Sequence, residues 1–354
     1  MEIATGKRPA APSQGKAGGA PHSIGAFKMN KNIGYAIAFV LALVAPFVAY
    51  PVFLMKLLCF ALFACAFNLL IGFTGLLSFG HAAFFGSAGY VAGYALRSLG
   101  LPVEVSLLLG TGAGALIGLL IGALAIRRQG IYFTMITLAL AQMVFFAALR
   151  MPFTGGEDGL QGVPRGKLLG LIDLSNDTTL YFVVLAIVIA GFALIVRTVH
   201  SPFGQVLKAI KENEPRAISL GYDVDKYKLM AFVLSAALAG LAGATKTLVL
   251  GFETLTDVHW AMSGLVVLMT LVGGMGTLAG PVVGAVIIIV LENKLGDLGT
   301  FLATHTGVEW FNTLGESVGL VTGLIFIICV LLFRRGIVGE FIAFFGSRVA
   351  KKPA

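Results

Sequence analysis

The chain has 354 residues, of which 58% are apolar and 12% charged, with a formal net charge of +8 and a mean hydropathy of +0.94. A soluble domain carries about 25% charged residues, so an ordinary soluble fold is excluded and the length suits several membrane spans of about 20 residues each. The positive charge does not point to nucleic acid, because most of the 25 Lys and Arg residues sit in the tails and in connections between apolar runs. That is the distribution of a membrane topology.

Residues 1–32 carry Lys7, Arg8, Lys16, Lys28 and Lys31 among Ala, Gly and Pro, the composition of a disordered basic tail. The apolar run from Ile33 reads as a retained helix and not a cleaved signal, since Tyr50-Pro51 leads straight into a second apolar run. Ten spans are expected, at 33–50, 52–72, 83–98, 103–126, 131–149, 179–199, 229–250, 258–272, 277–292 and 317–333. Basic residues concentrate in 1–32, 127–130, 197–228 and 334–354. This puts those segments, the 273–276 turn and both termini in the cytosol. Segments 150–178 and 293–316 are then external loops, either plainly solvated or a landing surface for a soluble partner. Five spans on each side of the 150–178 loop suit two inverted five-helix repeats, with Gly72-x-x-Gly75 and Gly273-x-x-Gly276 as the internal match.

The segment Asn68–Gly86 breaks an otherwise continuous apolar run with Gly72, Gly75, Gly80 and Gly86. Non-helical backbone at membrane depth requires surrounding protein or a water-filled cavity. Ser78 is placed to cap a new helix near Gly80, whose N-terminus would suit a carboxylate. The candidates for a translocation path are Asn68, Gly72, Thr74, Gly75, Ser78 and His81, joined by Thr137 and Gln142 of the fifth span. The competing reading is tight helix packing on the glycines, with His81 bonded internally. Thr134, Thr245, Lys246 and Thr270 are the other intramembrane polar groups, and packing suits the threonines best. No span holds a central Asp or Glu, which disfavours a proton- or sodium-driven carrier.

Several chemistries are absent. There is no Gly-x-x-x-x-Gly-Lys-Ser/Thr loop to cradle ATP, no His-Glu-x-x-His and no Gly-x-Ser-x-Gly. The histidines at 22, 81, 200, 259 and 305 are dispersed, and Cys59, Cys65 and Cys329 lie in apolar runs without metal-type spacing. No enzyme activity, metal or cofactor is expected. Asn176-Asp177-Thr178 fits a glycosylation sequon.

The polar island at 201–228 is the most informative stretch. Between Pro202 and Lys228 lie Lys208, Lys211, Glu212, Glu214, Arg216, Asp223, Asp225, Lys226 and Lys228. Phe203, Val206, Leu207 and Ile210 share one face of a short helix. Asn213 is placed to cap a second helix with Pro215 in its first turn, and Gly221 to end it in a left-handed cap. Two short helices with a bend make a compact knob. It is either a docking surface, with Lys208, Lys211 and Arg216 facing acidic groups on a partner, or an interfacial helix on anionic lipid.

Two segments carry a family resemblance: Gly72-Phe-Thr-Gly-Leu-Leu-Ser-Phe-Gly-His-Ala-Ala-Phe-Phe-Gly-Ser-Ala-Gly-Tyr90 and Gly204-Gln-Val-Leu-Lys-Ala-Ile-Lys-Glu-Asn-Glu-Pro-Arg-Ala-Ile-Ser-Leu-Gly221. With Arg127-Arg-Gln-Gly-Ile-Tyr-Phe-Thr and Gly273-Gly-Met-Gly-Thr-Leu-Ala-Gly-Pro, they resemble the LivM-type permease subunits of branched-chain amino acid ABC importers over about 68–339. The resemblance implies an all-α polytopic membrane protein with a permease domain at 33–339, a coupling helix within 202–221 and a basic cytosolic tail at 340–354. In that family the cytosolic loop fits a groove on the ATPase. Glu214, Ala217 and Gly221 match its pattern, while Pro215 and Arg216 depart from its centre. The implied partners are two cytosolic ABC ATPase subunits, a second homologous permease of LivH type and a periplasmic binding protein. The implied setting is the bacterial inner membrane, and the implied mechanism is alternating access. Urea, short amides or aromatic acids are alternative cargoes for the same machinery. A stand-alone channel or carrier, and a non-transporting scaffold, are the readings from other classes.

Overall fold

The computed structural model describes residues 40–306 together with scattered positions between 319 and 340. The expected tail at 1–32 and all but the first residue of the tail at 340–354 lie outside the described residues, as do much of the first span and most of the tenth. The long helices are α1 (Pro51–Thr74), α2 (His81–Arg97), α3 (Val103–Ala125), α4 (Ile131–Arg150) and α5 (Asp177–His200). Two short helices follow, α6 (Pro202–Glu212) and α7 (Glu214–Ser219), then α8 (Val224–Leu250), the single turn α9 (Leu255–Val258), α10 (Trp260–Gly273) and α11 (Gly280–Thr306). A two-residue hairpin, β1 (Lys167–Leu168) with β2 (Ile172–Asp173), interrupts the all-helical pattern inside the 150–178 loop.

Five helices among the described residues are long and apolar enough to cross a membrane: α1, α3, α4, α5 and α8. The two at the centre, α1 and α8, are mostly buried, whereas α3, α4 and α5 turn much of their surface outward. The outward residues are apolar, among them Leu108, Leu116, Leu120 and Leu124 on α3 and Met135, Met143 and Phe146 on α4. A surface of that kind belongs in lipid or against another apolar helix.

Glycine spacing explains how α3 meets α8. Gly110, Gly114, Gly118 and Gly122 recur every four residues, so they line one face of α3. A Cβ on them would reach Ala244, Gly240, Ala236 and Phe232 of α8 at 2.9, 3.0, 2.3 and 2.8 Å. The closest approach in this part of the bundle is at Gly243 of α8, where a Cβ would stand 1.9 Å from the Phe85 carbonyl oxygen of α2.

Two expectations change. The break after α1 is confined to residues 75–80, because α1 runs through Gly72 to Thr74 and α2 runs through Gly86. Gly72 and Gly86 are packing positions within helices: a Cβ would meet Asn68 and Gly276 at the first, and Val258 at the second. Gly75 alone needs glycine for its backbone, at φ +78°. Second, residues 293–306, expected as the start of an external loop, continue α11 as helix. Lys294 and Asp297 break the hydropathy there, but charge ends an apolar run without ending a helix.

The connections sort into two groups by contact. At one end of the bundle Gln129 bonds to Glu214, Lys211 to Gly72, and Asn68 to Gly276 and Thr277. At the other, Leu160 bridges Glu253, and Arg165 pairs with Asp177 and reaches Val249 O at 3.3 Å. Asn176 caps α5 there, its side chain accepting from Thr178 N at 2.9 Å.

Candidate functional site

The break at 75–80 is held from all sides by side chains that satisfy its backbone. Thr134 of α4 donates to Leu77 O (2.9 Å), and Phe79 N donates to Thr137 Oγ1 (3.2 Å), which itself donates to Thr134 O (2.9 Å). Ser78 accepts from Gly80 N (3.1 Å), and Ser263 of α10 accepts from Ala82 N (2.9 Å). The amides of Phe79, Gly80 and Ala82 at this helix start are therefore occupied by protein groups. Polar residues on α4 and α10 thus compensate an irregular backbone at membrane depth.

The candidate path residues fall around that break without forming one pocket. Asn68 is buried and clamps α1 to the turn before α11, donating to Thr277 O (2.8 Å) and accepting from Gly276 N (2.9 Å). Thr74 bonds back to Leu70 O at 2.5 Å. His81 is fully buried, with Nε2 2.9 Å from Ser235 Oγ of α8, whose hydroxyl donates to Ala66 O of α1 (2.6 Å). Its ring lies edge-on to Phe67, Phe84 and Phe232. His81 thereby joins α2, α8 and α1 at one point. Gln142 is half-buried on α4, apart from this network.

The knob takes the local form its sequence predicts. Ser201 caps α6 by accepting from Gly204 N (3.3 Å), and Asn213 caps α7 by accepting from Arg216 N (3.0 Å). Pro215 lies in the first turn of α7, and Gly221 has φ +86°. Ile210 and Ala217 form a small core with Val224, flanked by Val206 and Tyr227, and Phe203 stacks on Tyr227 at 5.6 Å. Asp223 caps α8, and its carboxyl is held below the ordinary value by hydrogen bonds from the Lys226 side chain and amide.

The six docking candidates divide into two faces. Lys208 stands over the Phe73 ring at 5.8 Å, and Lys211 Nζ donates to Gly72 O at 2.7 Å. Ala217 is buried, and Glu214 Oε1 accepts from both Lys228 Nζ (2.7 Å) and Gln129 Nε2 (2.9 Å). These four face the body of the protein. Arg216 and Gly221 face outward, beside the exposed Ile218, Leu220 and Tyr222.

One polar cluster escaped the sequence reading. Lys246, in the last turns of α8, pairs with Asp257 of α9 and with Glu253 (3.4 Å) of the connection between them. Thr247 donates to Glu253 Oε2 at 2.5 Å, and Asp257 closes a capping box with Thr254. All three charged groups are at most 4% exposed. The available signal was Lys246 itself, since an ammonium inside an apolar span demands a partner.

Residues 50–331 match the family described as "Branched-chain amino acid transport system / permease component". The chain belongs to this permease family. It is 28% identical over 258 residues to the high-affinity branched-chain amino acid transport system permease protein LivM of Salmonella typhimurium strain LT2. That match covers 66% of this chain and 60% of the relative, so it spans less than two thirds of the relative's length. The ribose import permease RbsC of Bacillus subtilis strain 168 is 29% identical, covering 55% of this chain and 58% of its own. The autoinducer 2 import permease LsrC of Klebsiella pneumoniae is 31% identical, covering 53% of each. As a member of this permease family with five helices among the described residues long and apolar enough to cross a membrane, the chain reads as a multi-pass membrane protein.

Proposed function

We propose that this chain is half of the channel of an ATP-driven importer for branched-chain, aliphatic amino acids, working by alternating access. The observation that carries the reading is the family match across residues 50–331, with LivM proteins among the relatives. Its partners are a second, LivH-type permease, two cytosolic ATPase subunits and a periplasmic binding protein. A relative named as a probable LivH is 31% identical over 163 residues, which supports descent of both halves from one fold. The ten-span topology with both termini in the cytosol, and the two inverted repeats, belong to the same proposal. The sorting of the described connections to two ends of the bundle supports the alternation of the spans within that topology.

In this reading the outward face of the knob, Arg216 to Tyr222, meets the ATPase. Lys208, Lys211, Glu214 and Ala217 seat the knob on the spans. Asn68, Gly72, Thr74, Gly75, Ser78, His81 and Thr137 frame the break beside which substrate passes, and Gln142 lies further along α4. The ribose and autoinducer relatives favour a second reading of the cargo alone, in which the same machinery carries another small polar molecule. Uptake of labelled leucine, urea, benzoate and ribose into vesicles, with and without ATPase subunits and ATP, separates these. Leucine accumulation that requires both supports the first reading, and flux without ATP overturns the mechanism.

A further inference from the structure

The charges on the inner face of the knob are arranged to carry motion, and one carboxylate stands at their centre. Glu214 is the first residue of α7, so any displacement of the exposed face at Arg216 to Tyr222 moves its side chain directly. Its Oε1 accepts from Lys228 in the first turns of α8, at 2.7 Å, and from Gln129 in the turn between α3 and α4, at 2.9 Å. The Lys228 side chain is only 4% exposed and that of Glu214 23%, so this pair is shielded from salt and from competing water. A second contact runs in parallel. Lys211, one turn before Glu214, donates to the carbonyl of Gly72 at 2.7 Å, three residues ahead of the left-handed Gly75 where α1 ends.

We propose that Glu214 is the strut through which force on the knob reaches the spans, and not a residue that contacts the ATPase. This rests on the reading of the chain as an ATPase-driven permease and assigns its internal transmission. Three structural facts direct the force. α8 packs on α1, α2 and α3, so pulling on Lys228 addresses the centre of the bundle. Gln129 leads into α4, whose Thr134 and Thr137 hold the backbone of the 75–80 break. Lys211 holds the last turn of α1, just ahead of that same break. Glu214 is thus a positioning residue: it touches no substrate, and its charge sets how α7, α8 and the α3–α4 turn move together.

The test uses the assembled transporter with a Leu77→Cys reporter, Cys59, Cys65 and Cys329 being replaced by Ala. Maleimide labelling is followed with and without ATP, and ATPase co-elution is measured alongside. In the otherwise unchanged protein, ATP alters the labelling rate. In Glu214→Gln and Lys228→Met that response shrinks about tenfold, within the usual range of coupling between sites, while the ATPase still co-elutes. The charge exchange E214K/K228E restores the pair and most of the response. Loss of co-elution in Glu214→Gln, or a response equal to that of the parent, overturns the strut. A parent that never responds to ATP refutes instead the reading of the chain as ATPase-driven, and the strut falls with it.

Discussion

Replacing Lys246 with Met removes the only ammonium from a cluster in which Glu253 is 0% and Asp257 4% exposed. Lys246 reaches Glu253 at 3.4 Å, contacts Asp257 more closely, and stands over the Phe85 ring at 5.7 Å. Methionine keeps much of the aliphatic stem and the ring contact, so the change isolates charge. Two carboxylates then remain buried without a counter-ion. Breaking such a pair by removing one partner costs about 3–5 kcal/mol. At about 2 °C per kcal/mol for a chain of this size, the apparent melting midpoint falls by roughly 6–10 °C. Fluorescence-detected size exclusion after graded heating in detergent reads this directly. The triple change Lys246→Met, Glu253→Gln, Asp257→Asn keeps the shape and leaves no uncompensated buried charge, so it recovers most of that loss. A Lys246→Met protein that melts with the parent would show that the cluster is solvated and refute the reasoning.

Three further outcomes follow from the packing. Gly243→Ala brings a Cβ against the Phe85 carbonyl, which α2 and α8 relieve only by separating; about 1–3 kcal/mol is lost, visible in the same melting assay. Asn68→Ala orphans Gly276 N–H and Thr277 O and costs about 1–3 kcal/mol, with faster proteolysis at the 274–279 turn as a local readout. The double change Thr134→Val, Thr137→Val leaves the helices in place but frees Leu77 O and Phe79 N. Hydrogen exchange across 75–80 then accelerates about tenfold or more, while exchange in α8 stays unchanged.

The helices were legible because their signals are local. The apolar runs mark α1, α3, α4, α5 and α8 to within a few residues, and the caps at Asn213 and Gly221 follow from the residue types. Less was legible wherever a partner lies far along the chain. Asn68 reads as a path residue from its neighbours, yet it bonds to Gly276 and Thr277, some 208 positions away. Glu214 reads as a docking charge because Lys228 and Gln129 are invisible to a window around it. Glu253 and Asp257 were passed over for a different reason. They lie in a connection, where acidic residues look solvated, and only the fold shows them drawn inward by Lys246. Position along the chain does not sort the glycines: the run from Gly72 to Gly86 mixes one residue needed for its backbone, Gly75, with others that admit a neighbouring helix.

The proposed function places an ATPase subunit against the outward face of the knob. A photo-crosslinking residue at Leu220, exposed on α7's end, tests this directly against the same residue at Leu116, exposed on the apolar face of α3. In cells containing the whole transporter, position 220 is expected to cross-link to a soluble ATPase subunit and position 116 is not. An absence of that product at position 220, or its equal appearance at position 116, would contradict it.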